Sequence, residues 1–193
     1  MYTNLKSAIV LGIEAVTVSI EIDSSNGLPG TTIVGLPDTA TNESKERVRS
    51  AVHNSGIKYP LKRITVNLAP AHLKKERAFF DLPIALGIAS ICGRIVPASL
   101  NGHIIVGELA LSGAALPLRG ILPIAVMARN SGFKLVAPAA NYNEISIIKG
   151  LDYRLFDDLR GALKYFEDGS YEFHPGHSHA EAGCNTNRVI NYT

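Results

Sequence analysis

Between Asp81 and Cys92 lies a ten-residue segment, Leu82-Pro83-Ile84-Ala85-Leu86-Gly87-Ile88-Ala89-Ser90-Ile91, with no charge in it. As a helix it is apolar almost all round, and such a helix is stable in water only when other elements cover it on every side. The rest of the chain must therefore form layers around it. Asp81 stands where it would cap this helix, and Pro83 is tolerated in a first turn, where its missing N–H costs little. The uncharged run is well short of the ~20 residues that cross a bilayer, so no transmembrane helix is expected. The chain has 193 residues, 46% hydrophobic and 19% charged. That is enough to core one domain and too apolar for a disordered chain.

The flanking segments supply the layers. Ser7–Gly12 and Ala15–Asp23 read as strands, the second with Val16, Val18, Ile20 and Ile22 alternating with polar residues. Asn26-Gly27 and Pro29-Gly30 mark a turn before a strand at Thr31–Val34, which predicts a first meander. A helix follows from Pro37-Asp38 to about Asn54, with Asp38 as its cap, Ala40, Ser44, Val48, Ala51 and Val52 as its buried stripe, and Glu43–Arg47 as an i,i+4 pair. Further strands are expected at Arg63–Leu68, Ile104–Leu111, Ala114–Leu118, Lys134–Ala137 and Tyr153–Phe156, with Pro117 marking an edge or strand end. Helices are expected at Gly120–Ser131, Ala140–Ile148 and Asp157–Phe166, the last burying Leu159, Leu163 and Phe166. The pattern implies an α+β protein of mixed α/β layers. Residues 1–169 form the domain, and 170–193, rich in Gly, Ser and Asn, form a flexible tail.

Charge is distributed unevenly. From Ser44 to Arg77 there are nine Lys or Arg against two Glu, although the whole chain carries nineteen basic and seventeen acidic residues. Lys45 and Arg49 share one helix face, Lys62 and Arg63 precede a strand, and Lys74, Lys75 and Arg77 lie in the loop before Asp81. Such a block is either a solvated surface or a face turned toward anions, nucleic acid among them.

The specific catalytic signatures are missing. The sequence has no Gly-x-x-x-x-Gly-Lys-Ser/Thr phosphate cradle, Gly-x-Gly-x-x-Gly turn, Gly-x-Ser-x-Gly elbow or His-Glu-x-x-His helix. Cys92 and Cys184 are too few for a disulfide framework, Cys92 sits in an apolar segment, and no signal-peptide pattern precedes Glu14, so a cytoplasmic setting is expected. His174, His177, His179 and Cys184 have the ligand chemistry for zinc but no flanking fold to fix them, and a His-containing tail is the expectation. His53 and His103 read as structural or surface histidines, and the acidic pairs Glu43/Glu46 and Asp157/Asp158 as helix-start charges.

Several segments together are more specific. They are Gly27-Leu28-Pro29-Gly30, Ile33-Val34-Gly35-Leu36-Pro37-Asp38, Glu43-Ser44-Lys45-Glu46-Arg47-Val48-Arg49-Ser50-Ala51 and Asn54-Ser55-Gly56 in the first third. Arg63-Ile64-Thr65-Val66-Asn67-Leu68-Ala69-Pro70, Phe80-Asp81-Leu82-Pro83-Ile84-Ala85, Gly107-Glu108-Leu109 and Gly120-Ile121-Leu122-Pro123 follow. In this order they resemble the N-terminal domain of the magnesium-chelatase-like competence AAA+ ATPases, over roughly residues 5–167. The resemblance implies a ribosomal protein S5 domain 2-like fold, akin to the proteolytic domain of Lon. It also implies a domain that in the family precedes an AAA+ module, whose members act as hexameric branch-migration helicases in natural transformation; this chain stops before that module. ATP and Mg²⁺ are accordingly expected only for that module, and no cofactor or metal for this chain. The Lon-like peptidase needs a serine and a lysine, and the resemblance puts Asp81 and about Leu122 at those positions, so no enzyme activity is expected. In the loop before Asp81 the family pattern is close to Ala-Pro-Ala-Asp-Leu-x-Lys-Glu-Gly, where this chain has His72 for the acid and Arg77 for the glycine.

The expected function is a non-catalytic domain of a DNA-processing AAA+ ATPase. It contacts DNA through Lys45, Arg47, Arg49, Lys62, Arg63, Lys74, Lys75 and Arg77, or packs subunits of the ring through the same region. The alternatives are a pure oligomerisation module and a degenerate Lon-like peptidase using Ser112 or Ser90. Magnesium insertion into a porphyrin is not implied, since no porphyrin-ligand arrangement is present.

Overall fold

The computed structural model describes residues 1–35, 38–70 and 79–170, without the side chains of residues 38–41. The strands are β1 (Tyr2–Leu11), β2 (Glu14–Ser25), β3 (Gly30–Val34), β4 (Arg63–Ala69), β5 (His103–Ile105), β6 (Glu108–Leu109), β7 (Ala115–Leu116), β8 (Lys134–Pro138) and β9 (Tyr153–Phe156). The helices are α1 (Asp38–Asn54), α2 (Asp81–Ile91), α3 (Ile121–Asn130), α4 (Tyr142–Ile145) and α5 (Leu159–Asp168). Seven strands form one sheet in the order β3-β4-β2-β1-β5-β8-β9, and β6 and β7 form a separate pair. β1–β2 and β2–β4 are antiparallel, and the other neighbours in the large sheet run parallel. This is the expected mixed α/β architecture, consistent with the S5 domain 2-like fold.

Two cores lie on opposite faces of the sheet. Leu5, Ile20, Ile22, Ile64 and Val66 pack with α1, α2 and α5, while Ala8, Ile104, Leu135 and Leu155 pack with α3 and α4. The strands' alternation follows from this layering, since successive side chains point to opposite faces. On β4 and the C-terminal half of β2 the face turned away from α1 and α2 carries Glu21 and Asn67, joined by a 2.9 Å hydrogen bond, whereas nearer its start β2 meets α3 through Thr17 and Met127. Ile104–Val106 and Leu135–Ala137 are covered on both faces and read as continuous apolar runs. All eleven residues of α2 are buried, as its composition demands. Gly87 makes its close approach possible, because a Cβ there would stand 2.3 Å from Ile22 Cδ1.

Several expectations are corrected. β3 does not continue a meander from β2: β4 intervenes, antiparallel to β2 and parallel to β3, so the Asn26–Pro29 connection crosses over a strand position. The segment 104–111 splits at Val106–Gly107 into β5 of the large sheet and β6, which turns away to pair with β7. The helix expected over 140–148 is a 3₁₀ turn at Ala139–Asn141 followed by the single turn α4. Phe80, not Asp81, occupies the N-cap of α2 and makes no side-chain cap bond. Asp158 does cap α5, accepting from the Gly161 N–H at 2.8 Å.

The expected cap Asp38 and the stripe residue Ala40 have side chains outside the described set, and so does the loop with His72, Lys74, Lys75 and Arg77. The tail from 171, with its histidines and Cys184, also lies outside the described residues. Among the described residues no helix is long and apolar enough to cross a membrane, and no three His, Cys, Asp or Glu side chains cluster as metal ligands.

Candidate functional site

Helix α1 lies with Ser44, Val48, Ala51 and Val52 against the core. Its 3.6-residue period sends Lys45 and Arg49, four apart, to a common outward face. There they meet the start of β3 and the Tyr59–Leu61 turn around a cavity of about 250 Å³ lined by Pro29, Gly30, Thr31, Lys45, Glu46, Arg49, Tyr59, Pro60 and Leu61. The Tyr59 hydroxyl and Thr31 Oγ1 are 2.8 Å apart and fix the cavity wall. Burial pushes the Tyr59 phenol up, against the opposing effects of its Thr31 hydrogen bond and the Arg49 charge.

A second recess of about 400 Å³ shares Gly30 and Thr31 with the first, and Arg63 lines it opposite the Asn26–Leu28 turn. Gly30 N–H donates to the Lys62 carbonyl at 3.3 Å, tying the strand that bears Lys62 and Arg63 to the shared wall. Lys45, Arg49 and Arg63 therefore line two adjoining recesses, with Lys62 next in sequence to Arg63. No carboxylate among the described residues pairs with any of these four cations.

Arg47 points elsewhere. Two residues from both Lys45 and Arg49, it turns inward, and its Nε donates to Asp81 Oδ2 at 2.7 Å while a terminal nitrogen lies 3.4 Å from Oδ1. Ser44 Oγ donates to Oδ1 at 2.7 Å, and the Leu109 N–H to Oδ2 at 3.3 Å. Glu43 lies 3.7 Å from Arg47 on the exposed side, in the expected i,i+4 pair.

Asp81 is fully buried, and burial pushes its carboxyl above the ordinary range, while the bonds from Arg47, Ser44 and Leu109 pull it down. Burial tends to lower the Arg47 guanidinium, but the hydrogen bond and charge of Asp81, with Glu108 and Glu43 adding to them, raise it on balance. The cluster joins α1, α2 and β6 across the core, and its position is set by main chain. Leu82 N–H donates to the Gly107 carbonyl at 2.9 Å, and Gly107 N–H to the Phe79 carbonyl at 3.0 Å.

Of the eight residues expected to meet nucleic acid, the structure gathers Lys45, Arg49 and Arg63 around two adjoining recesses, with Lys62 next to Arg63 in sequence. It turns Arg47 into the protein, and Lys74, Lys75 and Arg77 lie outside the described residues. Sequence reasoning missed Tyr59, Pro60 and Thr31, which complete the cavity. Thr31 carries only the signal of a strand start after Pro29-Gly30, and the 59–61 segment belongs to no element read from the sequence. It also missed the Ser44–Arg47–Asp81 contact, although a serine in a buried helical stripe and an acid heading an apolar helix both needed a partner.

Residues 20–141 match the family described as subunit ChlI of Mg-chelatase. The chain is 41% identical over 157 residues to the uncharacterised protein YifB of Escherichia coli K12, covering 81% of this chain and 31% of that protein. It is 45% identical over 138 residues to the competence protein ComM of Haemophilus influenzae, covering 72% and 27%. An uncharacterised protein of Mycobacterium tuberculosis H37Rv is 40% identical over 149 residues, 77% of this chain and 30% of that one. The chain thus spans less than a third of the length of these curated relatives. The basic recesses and the Arg47–Asp81 cluster both fall inside the family match.

Proposed function

Because the chain belongs to the family of the ChlI subunit of Mg-chelatase, we propose that this domain is a non-catalytic, DNA-contacting part of a larger cytoplasmic ATP-dependent protein. The relative named a competence protein supports a DNA-processing setting. ATP and Mg²⁺ would act in the portion of such proteins outside the match, in a self-associating ring. The observation that carries the reading is the gathering of Lys45, Arg49 and Arg63 around two adjoining recesses, with no carboxylate partner among the described residues.

Cations placed this way neutralise phosphates without reading sequence, so the contact is general and salt-sensitive. The absence of peptidase chemistry is part of the proposal: at the position that the resemblance gives to the Lon nucleophile stands Asp81, a carboxylate accepting from Arg47, Ser44 and Leu109. Fluorescence anisotropy with labelled DNA tests it. Lys45→Glu with Arg49→Glu should weaken binding at least tenfold, and Arg94→Glu, at a residue paired with Glu167 on α5, should not. Equal affinities for wild type and the Lys45/Arg49 variant would reject the reading.

A second reading, subunit packing, is favoured by one observation. Among the described residues β3 is an edge strand of the large sheet, and Val34, Leu28 and Leu61 are exposed. Light scattering over a concentration series without DNA separates the two, since edge packing predicts association in its absence.

A further inference from the structure

The cavity between α1 and the Tyr59–Leu61 turn is not uniformly basic, and its mixed lining carries information that the charges alone do not. Lys45 and Arg49 stand on one wall. The turn before β4 contributes Tyr59, Pro60 and Leu61 to the same lining, and Leu61 is 77% exposed. Duplex DNA presents its phosphates on a convex outer ridge with the bases stacked inside, so a duplex touching Lys45 and Arg49 would leave the apolar wall unfilled. An unpaired nucleotide can fill both sides, because its base is free to turn out and lie on an aromatic or apolar surface while its phosphate stays on the cations.

Resting on the DNA-contact reading above, we infer that this cavity is a single-nucleotide site for an unpaired strand: Lys45 and Arg49 hold the phosphate, and Tyr59, Pro60 and Leu61 receive the base. The volume of about 250 Å³ suits one such unit, and the adjoining recess shares Gly30 and Thr31 with it. Glu46, on the same rim, repels the phosphate from its own side and accepts from base N–H groups, which fixes the orientation with the sugar-phosphate toward Lys45 and Arg49. The Tyr59 hydroxyl bond to Thr31 holds the ring in one position, so the wall does not have to be ordered on binding.

Three labelled probes test this at one low salt concentration: a 20-nucleotide thymidine strand, an abasic strand of the same length carrying only sugar and phosphate, and a 20-base-pair duplex. The inference predicts that the thymidine strand binds at least fivefold tighter than either of the others. Leu61→Ser, at an exposed position that the fold does not depend on, should narrow that advantage, and Tyr59→Ala should remove it if the variant keeps its wild-type circular dichroism. Abasic and thymidine strands binding equally, with the Lys45/Arg49 variant still impaired, would overturn the base site while leaving the phosphate contact standing. No binding of any probe would overturn both.

Discussion

Arg47 Nε lies 2.7 Å from Asp81 Oδ2, so a cation of α1 that turns inward binds the one carboxylate that is sealed inside the core among the described residues. Truncating a partner of a buried pair leaves an uncompensated charge, which typically costs about 3–5 kcal/mol. Arg47 is 22% exposed, so Arg47→Ala should fall at the lower end, near 3 kcal/mol. Arg47→Lys should recover only part of the loss, since an ammonium cannot match the planar fork. Urea denaturation of Arg47→Ala, Asp81→Asn and the double variant checks this. A coupling energy near zero would mean the pair is not a unit.

Gly107 accepts from the Leu82 N–H, and a Cβ on it would stand 2.8 Å from Leu82 Cβ. Gly107→Ala should push the start of α2 outward and cost about 1–3 kcal/mol, the range for overpacking in a filled core. Thermal unfolding would show a lowered Tm with little change in far-ultraviolet circular dichroism.

His103 stands edge-on to Tyr165 and Phe166, with its Nδ1 2.9 Å from the Asn101 carbonyl. Burial lowers its pKa and the Lys134 charge lowers it further, against the opposing influence of the Asn101 hydrogen bond. The native state therefore favours the neutral ring. The stability this provides is fully present above the unfolded value of 6.5 and is lost as pH falls from there through the lowered native value. His103→Gln should flatten the fall in urea midpoint between pH 7.5 and pH 5; an unchanged slope would mean other groups carry it.

Ser90 Oγ is buried with no hydrogen-bond partner among the described residues, and Asp81 occupies the place the resemblance gives to a nucleophile. No peptidase activity should be detectable with casein or short fluorogenic peptides. Cleavage abolished by Ser90→Ala or Ser112→Ala would contradict this.

Much of the fold was legible because burial leaves periodic marks. The alternation of β2 and β4 and the unbroken apolar face of α2 identified those elements, and the 3.6-residue spacing of Lys45 and Arg49 put them on one face. What escaped depends on partners distant in sequence. Nothing local states that β4 inserts between β2 and β3, because that order is set by which strands share the core with α1 and α2. Nor could spacing show that Asp81 leaves the cap position for Arg47, thirty-four residues earlier, since an acid at a helix start satisfies the local rule equally well. The recesses were half visible: their cations stood out as charge, whereas Tyr59 and Thr31 became wall residues only when β3 was laid beside β4.

The most direct test of the central claim is the salt dependence of DNA binding. If Lys45 and Arg49 share one phosphate of a single strand and Lys62 and Arg63 each neutralise another, the logarithm of the binding constant should fall with the logarithm of salt concentration with a slope of about −2, and the Lys45→Ala, Arg49→Ala double variant should reduce it to about −1.4. A slope near zero, or one unchanged in the variant, would contradict the claim that this face meets nucleic acid.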